Sequence, residues 1–374
     1  MDYDCAIIGG GLAGLTLSIL MAEKGWKTVL FEKNKYPFHR VCGEYISLES
    51  KPFLERLGLN LSPELYPHIK ALQVSSVRGT VVNRPLDLGG FGISRYTLDH
   101  QLSQIAIAKG VIIIQARVDD AVQEGDHFII QANKEAYHAR ICCGSFGKRS
   151  NLDIKWQRSF VQSKTKGLNN YLGVKYHIRY SHPKHLIALH NFKNGYCGIS
   201  AIEEDKYCFC YLTRASNLAE NGNDIPGMEK QVLHCNPYLK KIFSEAEFLY
   251  KEPLVISQVS FAGKEQTMHE VPLCGDAAGL ITPLCGNGMS MAMRASHLLA
   301  SMLHQYLNKS FPLSALNKNY SSQWQKEFNT RLQTGRLVQQ FFGNNWLTEL
   351  LLRSCKIMPS IADILIKKTH GSTF

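Results

Sequence analysis

The chain has 374 residues, 45% apolar and 20% charged, with a formal net charge of +11. That is material for a large core in one large or two modest globular domains. Eleven cysteines without a CxxC pair argue against a zinc ribbon or a thioredoxin-like site, and no metal site is expected. The odd cysteine count and the absence of a basic leader point to reduced thiols in a cytoplasmic protein, and no apolar run is long enough to span a membrane. Lys and Arg are dispersed, without a recognition-helix or aromatic-platform motif, so no nucleic-acid partner is expected. An anionic cofactor, an anionic membrane surface and ordinary solvated charge remain as accounts of the basic excess.

The first predicted element is a buried parallel strand, "DYDCAIIGG". Gly9, Gly11 and Gly14 form G-x-G-x-x-G at the turn into a helix, "LAGLTLSILMAEKG". A second strand, "KTVLFEK", carries Glu32, with Lys33 beside it. The glycines allow a tight turn, close approach of backbone to a pyrophosphate, and close packing of helix on strand. Glu32 stands where an acid accepts hydrogen bonds from a ribose diol. The phosphates would lie at the helix N-terminus, where free N–H groups favour anions. This half does not distinguish NAD from FAD.

Residues 70–94 and 155–262 alternate in "KYHIRY" and "YCFCYLT", which predicts strands of an antiparallel sheet. "EVPLCGDAAGLITPLCGNGMSMAMRAS" then predicts a short strand, a turn and a helix beginning near Met289. Asp276 after Gly275 would accept a bond from a ribityl hydroxyl. Gly286, Asn287 and Gly288 would bring backbone N–H groups to a flavin ring, toward which the helix points its positive end. From about Pro312 the pattern is helical. Trp346, Leu350, Leu351 and Ile357 can form an apolar stripe near Arg353, Lys356, Lys367 and Lys368. A packed helical cap is the first reading of that tail; a membrane-surface helix or the cover of a lipid-sized pocket is the second.

"GDAAGLITPLCGNGMSMAM" resembles the second FAD-binding motif of flavoproteins related to p-hydroxybenzoate hydroxylase, and most of all the geranylgeranyl reductase branch. The resemblance implies that both Gly-rich stretches grip one FAD, with Pro283 and Met289 part of the second. It implies an α/β fold, with a Rossmann-type FAD-binding domain (1–69, 95–154 and 263–311), an inserted antiparallel substrate domain (70–94 and 155–262) and a helical C-terminal region (312–374). "YPFHRVCGEYIS" is similar to that branch's loop beside the isoalloxazine, which places Arg40 at the cofactor and Cys42 and Glu44 toward the substrate. In "GISRYTLDHQLSQ", Arg95 would lie against FAD while Asp99 and Leu102 dock the helix. Phe146 replaces the Asp of an Asp-Gly pair, which puts nicotinamide contact there in doubt. Tyr196 keeps one residue of the branch's Tyr-x-Trp-x-Phe-Pro motif, while Gly198 replaces the Trp, which would widen the substrate pocket, and Ser200 also departs from the motif.

The resemblance implies an FAD-dependent oxidoreductase supplied with electrons by NAD(P)H or another reductant. Alkene reduction on a bulky apolar substrate, with Glu44 or water as proton donor, is the first expectation. Hydroxylation of an aromatic or polyketide-like substrate is the alternative, because one scaffold hosts both. Halogenation ranks below them, since "GYCGIS" lacks the halogenases' Trp-x-Trp-x-Ile-Pro motif, and a non-enzymatic FAD module lower still. His39, His269, His297 and His304 are read as structural or surface residues. Peripheral contact with membrane lipid is an expectation; the oligomeric state is not legible.

Overall fold

The computed structural model describes residues 1–162, 170–369 and 371–374. Tyr3–Ile8 runs parallel between Thr28–Glu32 and Glu135–Gly144, with Cys5 opposite Thr28 and Ile141. Its last four residues are buried, as suits a strand covered on both faces. Strand Ile112–Gln115 adds a fourth parallel member, and an antiparallel pair, His127–Ala132 and Val118–Glu124, completes a six-stranded sheet. The first helix, Leu12–Glu23, is buried from Leu12 through Met21. It lies against helices Arg95–Ala108 and Gly288–Leu307, which explains why it is apolar all round rather than amphipathic.

A second, nine-stranded sheet holds strands His68–Ser75, Val81–Gly92, Tyr171–Arg179, Leu186–Phe192, Gly195–Ala201, Tyr207–Arg214 and Leu254–Val259, with the short strands Tyr45–Ser47 and Glu247–Phe248. It is mixed, which corrects the antiparallel expectation. Leu186–Phe192 pairs in parallel with His68–Ser75 because the chain crosses the first sheet between them and re-enters in the same direction. The segment expected as strands also contains helices Ala215–Glu220, Ile225–Val232 and Pro237–Glu245. Their start signals are ordinary: Asp224 accepts from the Gly227 N–H at 2.8 Å, and Asn236 caps a helix opened by Pro237. Met228, Leu239 and Ile242 from these helices cover Val174, Tyr176 and Ile178 of the sheet.

Helices Leu313–Phe342, Asn345–Ile357 and Pro359–Thr369 form the tail and pack on one another. Trp324 and Tyr320 bury themselves against the first domain, with the Tyr320 hydroxyl donating to the Leu273 carbonyl at 2.8 Å. The expected apolar stripe divides. Trp346, Leu350 and Ile357 face outward, whereas Leu351 packs inward with Leu352 and Val74. Among the described residues, no helix is long and apolar enough to cross a membrane.

Candidate cofactor and substrate cavity

One continuous cavity of about 980 Å³ runs from the Gly-rich turn to the face of the second sheet. The turn is built as its glycines require. Gly9 has φ +103°, and a Cβ there would lie 2.5 Å from the Ser145 carbonyl. A Cβ on Gly14 would collide with the Gly9 carbonyl, so helix and strand touch through backbone. A Cβ on Gly11, by contrast, would meet only the Arg95 guanidinium, at 3.7 Å, among the described residues, and Gly11 faces the cavity. It precedes a helix with no side-chain cap. That leaves first-turn N–H groups for an anion.

Glu32 closes this end. Its carboxylate accepts from the Gly10 N–H at 3.0 Å, the Asn34 N–H at 3.0 Å and Arg40 at 2.9 Å. Arg40 also reaches Asp99 at 3.1 Å, and Arg95 makes a two-pronged contact with the same carboxylate at 2.7 Å. Asp99, fully buried, thus holds both guanidiniums at the cavity wall, beyond the helix-docking part expected of it. Lys33 stands at the rim.

The second Gly-rich stretch meets the first. Leu273 bridges to Gly144, and a Cβ on Gly275 would lie 2.9 Å from Ala13. Gly275, Asp276, Pro283, Gly286, Gly288 and Met289 all line the cavity, and helix Gly288–Leu307 opens without a side-chain cap. Asn287 does not line it: its side chain turns away and donates to the Thr369 carbonyl. Phe146 lies on the wall, edge-on to Trp156 at 5.8 Å. Lys148 bonds the Val41 carbonyl at 3.2 Å across the opening.

The far end is apolar. Ile187, Leu189, Leu212, Ile256, Val259 and Phe261 line it, with Tyr196, Gly198 and Ser200 projecting from alternate positions of one strand. A Cβ on Gly198 would meet nothing nearer than Leu189 at 3.4 Å, so this position leaves room. Cys42 sits between the two ends, 3.7 Å from the Met289 sulfur.

Glu44 corrects an expectation. Fully buried at φ +54°, it accepts from Lys175 at 2.5 Å, His177 at 2.6 Å and the Arg95 N–H at 2.7 Å. Burial alone would raise its pKa; Lys175 and His177 outweigh burial and hold it at about 2. A carboxylate ionised so firmly does not donate a proton at neutral pH. His177 continues through the Tyr250 hydroxyl at 2.8 Å to His39 at 3.1 Å, and burial followed by Lys175 lowers the His39 pKa to about 4. Of the four histidines read as structural, His39 is on the cavity wall. His304 bonds Trp26 at 3.0 Å, His297 packs on Phe53 and His269 on Trp156. Lys175 and His177 escaped the sequence reading because alternation in "KYHIRY" marks polar positions as outward, and here that outward face is buried against Glu44.

No protein-family model matches the sequence. Conditioned medium factor receptor 1 of Dictyostelium discoideum is 22% identical over 357 residues, spanning 87% of this chain and 68% of that protein. Digeranylgeranylglycerophospholipid reductase of Methanococcus vannielii is 23% identical over 356 residues, spanning 88% and 82%. The flavin-dependent brominase Bmp2 superposes over 100% of this chain and 94% of its own, with a TM-score of 0.78 at 18% identity. Other matching structures include the flavin-dependent halogenase CmlS, the halogenase PltM solved with phloroglucinol and FAD, and a flavoprotein/dehydrogenase from Cytophaga hutchinsonii. The chain has the fold of the flavin-dependent halogenases. The α/β architecture implied by the p-hydroxybenzoate hydroxylase-like resemblance is therefore the one observed.

Proposed function

We propose that the chain is an FAD-dependent oxidoreductase acting on a bulky apolar substrate, and that it reduces an alkene. The observation that carries this reading is the single cavity, polar and Gly-rich at one end and apolar at the other. The residues present fit FAD: two uncapped helix N-termini, two arginines held by Asp99, and an acid at the end of the second strand all border one channel. When bound there, FAD would supply hydride to an acceptor carbon in the apolar end.

The chain's own part is binding, orientation and exclusion of water. Gly9 and Gly11 would admit the pyrophosphate, Arg40 and Arg95 would balance its charge, and Glu32 would hold the ribose hydroxyls. Asp276 and the N–H groups opening helix Gly288–Leu307 would hold the other half of the cofactor. Phe261, Leu189 and Ile256 exclude water from the acceptor. Glu44 is a positioning residue that fixes Lys175 and His177. The Tyr250 hydroxyl, between two imidazoles, holds a proton on the chain that reaches the cavity wall at His39. The methanogen relative's name, a reductase of a polyprenyl lipid, agrees with this reading.

Flavin-dependent hydroxylation of an apolar aromatic substrate is the second reading, and its support is the shared fold. The test incubates purified flavin-loaded protein, reduced chemically, with a polyprenyl lipid extract in the absence and presence of oxygen. Product gaining hydrogen without oxygen supports alkene reduction. Product gaining an oxygen atom, or a halogen when halide is added, overturns it. Failure of flavin to copurify or to bind on reconstitution overturns the cofactor assignment itself.

A further inference from the structure

Among the described residues, fifteen large apolar side chains are exposed, and six of them lie between Leu337 and Ile364. Isolated exposed apolar residues are ordinary; a concentration of them marks a contact surface. In helix Asn345–Ile357, Trp346 (62% exposed), Leu350 (48%) and Ile357 (82%) are spaced by four and seven residues, and so share one face. Met358 (57%) follows at the joint, and Ile364 (54%) is exposed on the next helix, which packs against the first.

Charge around this face is one-sided. Residues 344–369 contain two acids, Glu349 and Asp363. Glu349 is buried and bonded to Arg353 at 2.7 Å, and Asp363 pairs with Arg84 at 2.6 Å. Lys356, Lys367 and Lys368 are exposed and have no acid paired to them among the described residues. Exposed Trp, Ile and Met bordered by lysines complement an interface with anionic headgroups above and acyl chains below. The inner side of the same helical tail walls the cavity region: Phe342 meets Tyr196 edge-on at 6.3 Å, and Leu351 and Val338 join the cluster of Phe261 and Leu280.

We infer that the outer face of the two last helices docks on the surface of an anionic phospholipid bilayer, with Trp346, Leu350, Ile357 and Met358 entering the headgroup region and Lys356, Lys367 and Lys368 contacting phosphate. This goes beyond the flavin assignment and does not depend on it. Docking there sets the apolar end of the cavity beside the bilayer, where a water-insoluble substrate resides.

The test uses the full chain with vesicles of phosphatidylcholine alone and of phosphatidylcholine mixed equally with phosphatidylglycerol. Trp346 is the most exposed of the four tryptophans, so its emission reports contact. Binding to the mixed vesicles, a blue shift of that emission and loss of binding at high salt are expected. Lys356→Gln with Lys367→Gln and Lys368→Gln should weaken binding roughly a hundredfold. Trp346→Ser with Ile357→Ser should weaken it with no fall in melting temperature, since both side chains are outside the core. Absence of binding to the mixed vesicles overturns the inference, as does equal binding to neutral ones. A dimer in light scattering that the Trp346 and Ile357 variants dissolve would show that a second copy covers the face, and would overturn it too. Flavin content measured on the same samples keeps this outcome separate from that of the cofactor assignment.

Discussion

The two ends of the cavity are built from different materials. At the nucleotide end the working surface is mostly backbone: Gly9, Gly11, Gly275, Gly286 and Gly288 shape it, and two helices lend it their N–H groups. At the sheet end it is side chain: Tyr196, Leu189, Phe261 and Ile256 form the walls, and the Glu44–Lys175–His177 cluster lies beneath. A backbone surface leaves a short, rigid trace in sequence, because few residues other than glycine fit it. A side-chain surface can be rewritten one residue at a time without disturbing the strands that carry it.

The largest effect should come from the buried cluster at the sheet end. Lys175→Met leaves Glu44 ionised in the core with one partner fewer, which costs roughly 3–5 kcal/mol in denaturant unfolding. Glu44→Gln in the same chain should restore most of the loss. If the single variant is as stable as the parent, the cluster is not holding this end together. The acid limb carries the same information. The Glu44 pKa lies below its ordinary value of 4.5, so its contribution is present above that value and is lost as pH falls through about 2. That window contributes roughly 3 kcal/mol in the parent, and the Lys175→Met variant should show a shallower acid dependence.

Gly11→Asp comes next and probes the backbone end. The position has space for a side chain, so the fold should persist by circular dichroism while flavin content falls. About a hundredfold weaker flavin binding is expected from a carboxylate set against the pyrophosphate. Undiminished binding would remove the cofactor from this turn. Gly198→Trp should do the reverse, leaving flavin content intact while raising KM for an apolar substrate by about tenfold or more. Cys42→Ala should have the smallest effect, within about twofold in turnover, because the thiol's neighbour at 3.7 Å is the Met289 sulfur, a weak contact. A larger fall would make Cys42 a catalytic residue.

What could be read in advance follows the same division. Strand, Gly-rich turn, helix and Glu32 were legible because period and glycine placement fix one another. The second Gly-rich stretch was legible for the same reason, although the turn of the Asn287 side chain away from the cavity, toward the Thr369 carbonyl, was not. Asp99 read as a docking residue because a sequence cannot show two arginines, at 40 and 95, converging on one carboxylate. Lys175 and His177 were missed because an alternating strand names two faces without saying which of them is buried. The mixed sheet was hidden because strand direction depends on where the chain has travelled between Ser75 and Leu186.

That parallel pairing also orders events in time. Ala71 must wait for Leu186, and the sheet beside it is not complete until Val259 has joined Tyr171. A nascent chain that has emerged only through the first sheet therefore displays strand His68–Ser75 with one unpaired edge. Such long-range pairing folds slowly and exposes an aggregation-prone edge. A fragment ending before residue 170 should accordingly be recovered insoluble, whereas the full chain should not.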